Sequence, residues 1–330
     1  MYIFLTMDEQ QAPRPKRRPR YKGRNPREAS QKYKELNPEK YASEISKVES
    51  RGMTALGTHR PILVKEILEI LDPKPNETGL DATLGFGGHS SLILEKLTGS
   101  GRLIALDQDP IERAKTEKRL RERGFGEEKL LIGAVNFCDA RKFLEKNAID
   151  KLDFVLADLG VSSMQIDDPN RGFSFKTDAV LDLRMNPNAG RPAKDWIESI
   201  SEDDLAEALR LNSDEVFAEH IAREIKKAKP KTTQALADAV RIVMAGFSPR
   251  RKLEQGDSPI RRTFQALRIL VNDEFGVLDR FLLDIPKMLA PGGRVAIMSF
   301  HSGEDRRVKK SFQAHHRAGL FDSISDEIIR

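Results

Sequence analysis

Three short apolar runs in this chain each finish on an aspartate: Gly79-Leu80-Asp81, Arg102 to Leu106 before Asp107, and Leu152 to Ala157 before Asp158. Helix-like stretches, Ser90 to Leu97 and Pro110 to Arg123, lie between them, with a further strand-like run from Lys129 to Val135. Strands that alternate with helices pair in parallel, through right-handed crossovers. The expectation is an α/β fold built on a doubly wound sheet, with the aspartates gathered along the rim where strands end.

The pattern opens with Pro61 and a helix face of Ile62, Leu63, Ile67, Leu68, Ile70 and Leu71, closed by Pro73. It is interrupted after residue 165. Residues 166–265 hold no convincing strand but several helix signals. Ser201 with Asp204 resembles a capping box, Ser213 is read as opening a helix that Pro230 ends, and a third helix runs from about Thr233 to Met244. Sheet logic then resumes. Pro259 to Leu289 reads as one long helix bent at Gly276, Pro291-Gly292-Gly293 as a turn, Arg294 to Phe300 as a fifth strand, and the segment after His301 as a basic amphipathic helix. Residues 56–165 and 266–330 are thus expected to form the sheet domain around an inserted all-helical domain, 166–265. A length of 330 residues suits two domains at about 150 residues each.

Charge is unevenly placed. Residues 11–27 carry Arg14, Lys16, Arg17, Arg18, Arg20, Lys22, Arg24 and Arg27 and no acidic residue. The chain's net charge of +5 becomes −3 without them. A basic arm of this kind, here residues 1–55 and expected to be largely disordered apart from a short helix within 27–49, usually meets nucleic acid. No apolar run approaches the ~18 residues of a membrane span. The single cysteine, Cys138, excludes a disulfide framework and a cysteine-based zinc site and points to a reducing compartment, the cytoplasm. Of the histidines, His59, His220, His301, His315 and His316 show no metal-ligand spacing, so no metal is expected.

The most informative segment is Asp81-Ala82-Thr83-Leu84-Gly85-Phe86-Gly87-Gly88-His89-Ser90, a glycine-rich loop joining the first strand to a helix. Amides at such a helix start favour an anionic group, phosphate or carboxylate alike. Asp107 follows 22 residues after Gly85, where a carboxylate can accept both hydroxyls of a ribose. The pair suggests a nucleoside cofactor, either a dinucleotide or S-adenosylmethionine. Ser90 stands where the dinucleotide fingerprint wants Gly or Ala, and Asp81 and Asp158 add negative charge that repels a pyrophosphate and suits a sulfonium and an ammonium. A plain tight turn with helix-capping aspartates is the simpler alternative.

These residues resemble the bacterial 16S ribosomal RNA cytosine-N4 methyltransferases, which act on a cytosine of the decoding centre. The resemblance covers about residues 58–315. It rests on His59-Arg60-Pro61, on the Asp81–Ser90 loop, and on Asp158-Leu159-Gly160-Val161-Ser162-Ser163 with Gln165, Asp167 and Arg171-Gly172-Phe173-Ser174-Phe175. It rests further on Arg262-Thr263-Phe264-Gln265-Ala266-Leu267-Arg268 and Phe300-His301-Ser302-Gly303-Glu304-Asp305-Arg306. It implies a Rossmann-like class I S-adenosylmethionine-dependent methyltransferase whose helical insertion helps hold RNA. The implied cofactor contacts are Gly85, Gly87, Gly88, His89, Asp107, Phe137, Asp158 and Gln165, with Phe137, at the end of the third strand, facing adenine. Arg171, Phe173, Phe175, Arg262, Arg268 and His301 are the candidate RNA contacts; the phenylalanines have a core reading and the arginines a salt-bridge reading. Lys309, Lys310 and Arg317 would add affinity with the arm. The partner implied is 16S ribosomal RNA or the small ribosomal subunit, with a homodimer left open. The family continues beyond the fifth strand into a further strand pair with an Asn-Pro-Arg-rich segment, so an incomplete sheet or a shortened chain is expected here.

The implied chemistry is in-line displacement by the cytosine N4, with no covalent enzyme intermediate and Cys138 a buried structural thiol. Asp158, or a backbone carbonyl of residues 158–160, is the candidate acceptor that orients the N4 hydrogens. The Asn/Asp-Pro-Pro-aromatic motif of other exocyclic-amine methyltransferases is replaced by Asp-Leu-Gly-Val, which leaves Asp158 a second reading as a ligand of the methionine amine. Two other function classes stay open from sequence: an NAD-dependent oxidoreductase and a non-catalytic RNA-binding assembly factor.

Overall fold

A computed structural model describes residues 61–247 and 258–324. The basic arm, the helix expected within 27–49, and His59 and Arg60 lie outside the described residues. The sheet has five parallel strands: β1 (Thr78–Asp81), β2 (Arg102–Leu106), β3 (Leu130–Gly133), β4 (Leu152–Asp158) and β5 (Leu289–Met298), in the order β3-β2-β1-β4-β5. The order reverses between β1 and β4. Loops leaving these two neighbouring strands diverge to opposite sides and open a crevice at their C-terminal ends.

Helices cover both faces. On one lie α1 (Val64–Leu71), α2 (Gly88–Lys96) and α3 (Pro110–Glu122); on the other, α4 (Ala140–Lys146), α11 (Glu274–Met288) and α12 (Ser302–Arg317). Alternate strand residues divide between the two cores. Leu103, Ala105, Phe154 and Leu156 join Ile93, Leu94 and Leu120, whereas Ile104, Leu106, Val155 and Ala157 join Leu144, Phe281, Ile285 and Phe312. A strand covered on both sides must be apolar through its centre, which is why β2 carries no polar residue from Leu103 to Leu106 and β4 none from Phe154 to Ala157. Arg294 of β5 donates to both Glu77 carboxylate oxygens (2.6 and 2.8 Å) and to the Leu71 carbonyl, fastening the end of α1 and the approach to β1 to the far strand.

Between β4 and β5 the chain forms α5 (Ser163–Asp167), α6 (Ala193–Ser199), α7 (Glu202–Ser213), α8 (Ala218–Ala228), α9 (Thr233–Ala245) and α10 (Ser258–Asn272). The last five share one core, with Leu205, Leu209, Ile221, Ile225, Leu236, Val240, Phe264 and Leu267 buried together. Ser201 caps α7 as expected, accepting from the Asp204 amide at 3.0 Å. The division expected at 265/266 falls inside α10, whose buried face belongs to the helical core.

Four local readings are corrected. Ser213 closes α7 by donating to the Leu209 carbonyl, and α8 starts at Ala218. The long helix is two helices, broken at Asp273 in the left-handed region (φ 49°) and not at Gly276. The Pro291-Gly292-Gly293 turn is an irregularity inside β5, where pairing with β4 jumps from Leu289 to Arg294. β3 stops at Gly133, so Phe137 lies beyond the strand and begins a short 3-10 turn capped by Asn136.

Candidate active site

The switch-point crevice is a cavity of about 950 Å³. Its floor is the loop after β1. Asp81, 1% exposed, accepts from Ser90 Oγ (2.6 Å) and from the Thr83 amide (3.0 Å), tying the strand end to the first turn of α2. Thr83 Oγ1 in turn accepts from the Asp158 amide at 2.6 Å, linking the ends of β1 and β4. Burial raises the Asp81 carboxyl above the usual carboxylate range, against these hydrogen bonds.

Gly87 ends the loop as the N-cap of α2 at φ +75°, a conformation that disfavours side chains. A Cβ there would stand 2.7 Å from Thr116 Cγ2. Thr116 also holds the loop, donating from Oγ1 to the Gly85 carbonyl at 2.7 Å. The loop amides of Ala82, Thr83, Leu84, Gly85 and Gly87 are already engaged, Gly85 with Asp107 Oδ2 and Gly87 with the Leu84 carbonyl, whereas no side chain caps the first turn of α2. The anion-favouring end of that helix, at Gly88 and His89, therefore faces the cavity. Gly87→Val is expected to weaken nucleoside-cofactor binding at least about tenfold, from left-handed strain of ~1–2 kcal/mol and displacement of Thr116. Calorimetry with S-adenosylmethionine, beside circular dichroism to confirm folding, measures it.

Asp107 follows β2 and accepts amides from Gly85 (2.8 Å) and Asp109 (2.8 Å). Burial outweighs these bonds and pushes its carboxyl up to about 6. Asp158, at the end of β4, is pushed to about 7 by burial and then by the charges of Asp81 and Glu304. His89 Nε2 lies 4.0 Å from Asp158 Oδ2, but burial lowers this histidine to about 4, so it is neutral at pH 7 and gives Asp158 no counter-charge. After β5, His301 Nε2 is 3.2 Å from the Glu304 carboxylate, whose other oxygen accepts the Phe300 amide. The rim thus concentrates acidic groups around a cavity also lined by Val135, Phe137, Val277 and Leu278.

Gly85, Gly87, Gly88, His89, Asp107, Phe137, Asp158 and Gln165 all line this cavity. Phe137 packs edge-on to Phe281 at 5.1 Å. Gln165 forms a capping box with Ser162 and donates from Nε2 to Asp109 Oδ2 at 2.8 Å. Several of the RNA candidates have other partners. Arg171 is 4% exposed, paired with Asp109 (2.7 Å) and donating to the Arg184 and Met185 carbonyls, so it is a buried anchor and not a phosphate ligand. Phe173 is 9% exposed and belongs to the helical core; Phe175 packs 5.7 Å from Phe264, although both touch the cavity. Arg262 is outside the lining and bound to buried Glu215 at 2.8 Å. Arg268 lines the cavity but gives Nε and Nη2 to Glu274 (2.8 and 2.9 Å). His301 does line it. Cys138 is half-buried, not buried, and burial raises its thiol further.

Asp109, Lys176, Arg261 and Glu304 also line the cavity and are not among the site residues expected from sequence. Asp109 had a signal, since Asp-Pro is a helix-start pair and Asp109 does cap α3. Lys176 and Arg261 had none, being ordinary basic residues until the fold sets them, both exposed, on the cavity wall. Among the described residues no group of His, Cys, Asp and Glu is placed to hold a metal ion, and no helix is long and apolar enough to cross a membrane.

A parallel sheet in this order, a glycine loop after its first strand and an acidic residue after its second make a Rossmann-like nucleoside-binding fold, and the family match makes it that of a class I methyltransferase. Residues 57–322 match the MraW methylase family. The chain is 50% identical over 327 residues to a ribosomal RNA small subunit methyltransferase H 1 of Lachnoclostridium phytofermentans, covering 98% of this chain and 89% of that one. It is 49% identical to the protein of that name from Agathobacter rectalis, covering 96% and 91%. A methyltransferase H 2 of Alkaliphilus metalliredigens is 47% identical over 95% and 91%. The chain belongs to the MraW methylase family.

Proposed function

We propose that this methyltransferase transfers the methyl group of S-adenosylmethionine to the exocyclic N4 of a cytosine in small-subunit 16S ribosomal RNA. The observation that carries the reading is the acid-rimmed crevice at the β1/β4 switch point in a chain about half identical to small-subunit rRNA methyltransferases. The residues suit the cofactor. In this reading Asp107 takes the ribose hydroxyls, the uncapped turn at Gly88 and His89 a carboxylate, Phe137 and Leu278 an apolar ring, and Asp158 cationic charge; all of them line the cavity, which supports it. When bound, S-adenosylmethionine supplies an electrophilic methyl carbon on a sulfonium.

The chain's own task is mainly positioning. The N4 lone pair is delocalised into the base, so N4 must be held in line and its hydrogens oriented. Asp158 and the backbone after it supply acceptors at the strand end. The base must reach them unpaired or flipped out of its stack. A single cysteine suits the reducing cytoplasm, where we place the reaction.

Lys176 and Arg261, exposed on the cavity wall and without a side-chain partner among the described residues, support phosphate contact there. The basic residues at 11–27 add charge of the same sign. Joint replacement of Lys176 and Arg261 by Ala is expected to weaken RNA binding whatever its sequence and to lower the slope of log affinity against log salt by roughly 1 per lost contact. A titration at several salt concentrations reads this; an unchanged slope removes both residues from the RNA path.

The function is tested by radiolabelled methyl transfer to small subunits and to naked rRNA, followed by nucleoside analysis. N4-methylcytidine is the expected product. Thermal shift with S-adenosylmethionine against NAD separates the dinucleotide reading, and RNA affinity without transfer identifies an assembly factor.

A further inference from the structure

Six phenylalanines line the cavity: Phe86, Phe137, Phe173, Phe175, Phe264 and Phe300. Five have their faces or edges occupied. Arg119 lies 3.8 Å over the Phe86 ring, Phe137 meets Phe281, Phe173 is in the helical core, and Phe175 and Phe264 pack on one another. Phe300 differs: it is 57% exposed, belongs to none of the three apolar cores, and has no ring or cation stacked on it among the described residues. Among the described residues it is the one phenylalanine of this lining whose ring is left free to stack on a ligand.

Its backbone, in contrast, is held firmly. The Phe300 amide donates to Glu304 Oε2 at 2.8 Å, and Glu304 is 3% exposed. The residue leaves the end of β5, beside β4 and Asp158. Beside it is Gly160 at φ +94°, where a Cβ would meet only Phe300 Cδ2, at an ordinary contact distance of 3.8 Å. The space over this backbone next to the ring is open.

We propose that Phe300 is the stacking platform for the target base, holding its plane beside Asp158 so that the exocyclic amine meets the acceptors at the end of β4. This inference rests on the function proposed above and names a positioning residue for it. A phenyl face has no hydrogen-bonding pattern, so it sets the height and tilt of a base and leaves base identity to the polar groups opposite. Single-stranded and flipped bases are commonly held this way, each stack contributing ~1–3 kcal/mol. The two phenylalanines that sequence favoured for stacking, Phe173 and Phe175, are committed to packing, which leaves Phe300 as the open ring of the set.

The test compares Phe300→Ala, Phe300→Leu and Phe300→Tyr in the full chain. With unmethylated small subunits as substrate, Ala and Leu are expected to lower kcat/KM by about tenfold to a hundredfold, and Tyr to stay near wild type. Calorimetry with S-adenosylmethionine should give the same affinity for all four proteins. A second reading uses a short single-stranded RNA carrying pyrrolocytosine. Wild type and the Tyr variant should quench its fluorescence on binding; Ala and Leu should bind without quenching. Wild-type turnover by the Leu variant, or cofactor affinity lost in step with turnover, overturns the platform, since either makes the ring mere packing or part of the cofactor wall. If the wild-type protein transfers no methyl group to any rRNA, the proposed function fails. The quenching comparison still decides the platform, and equal quenching by Ala and wild type rejects it.

Discussion

Asp158→Asn is expected to lower methyl transfer by about 10²–10³-fold and to remove its dependence on pH near neutrality. Among the described residues Asp158 stands at the end of β4 without a cationic partner, His89 beside it being neutral, and burial with the charges of Asp81 and Glu304 pushes its carboxyl to about 7. Below that pH the group is largely protonated, so it is poor both as an acceptor for an amine hydrogen and as a counter-charge for a cation. Activity of the wild type should therefore rise as pH climbs through about 7, and that of the variant should stay low and flat across the same window. Stability must move the other way. Because the folded value lies above the unfolded one, the folded state binds the extra proton between about pH 4 and 7, and the protein loses stability as pH rises across that range. Thermal melts from pH 5 to 8 should fall less steeply for Asp158→Asn. The kinetic pattern assigns the role. Loss in kcat with unchanged affinity for S-adenosylmethionine makes Asp158 the group that orients the amine; loss of affinity makes it a ligand of the cofactor's ammonium. Near wild-type turnover with intact cofactor binding removes it from both.

The strands and the rim aspartates were legible because the centres of parallel strands admit no polar residue. Leu103–Leu106 of β2 and Phe154–Ala157 of β4 are apolar for that reason, and Asp107 and Asp158 follow them directly. The glycine loop was legible because Gly87 answers a local backbone need. Errors came where one residue type serves two local ends. Ser213 was read as a helix start, yet a serine bonded to the carbonyl four residues back also closes a helix. Gly276 was read as the bend; the left-handed residue is Asp273, whose carboxylate folds over the new helix start against Gly276, so the glycine marked the neighbourhood and not the break. Long-range pairing was not legible at all. Nothing local to Arg171 announces a partner 62 positions earlier, and nothing local to Phe300 distinguishes it from the five rings that are packed. The sequence pattern locates strand ends; which charges and rings are left over for substrate is decided by packing between segments far apart in the chain.

Arg171→Ala tests that distinction through stability, with an expected loss of about 3–5 kcal/mol. Asp109 is 1% exposed and already caps α3, accepting from the amides of Ile111 and Glu112. Its second oxygen takes Arg171 Nη1 at 2.7 Å and Gln165 Nε2 at 2.8 Å. One carboxylate thus joins the loop after β2 to the loop after β4, and the arginine carries the link on to the backbone at Arg184 and Met185. Removing the guanidinium leaves a buried, uncompensated charge and two carbonyls without their donor, which costs more than the pair itself contributes. Arg171→Lys should retain part of the loss, because an ammonium cannot present the planar fork that reaches Asp109 and both carbonyls. Asp109→Asn in the Arg171→Ala background should recover stability, since asparagine still caps the helix and carries no charge. Urea unfolding of the wild type, Arg171→Ala, Asp109→Asn and the double variant gives the coupling directly. RNA affinity per folded molecule should change little across the set, because the guanidinium never faces solvent. Wild-type stability in Arg171→Ala together with a reduced salt slope for RNA binding would instead return this residue to the phosphate backbone, and with it the reading in which the segment from Arg171 to Phe175 is part of the RNA-facing surface.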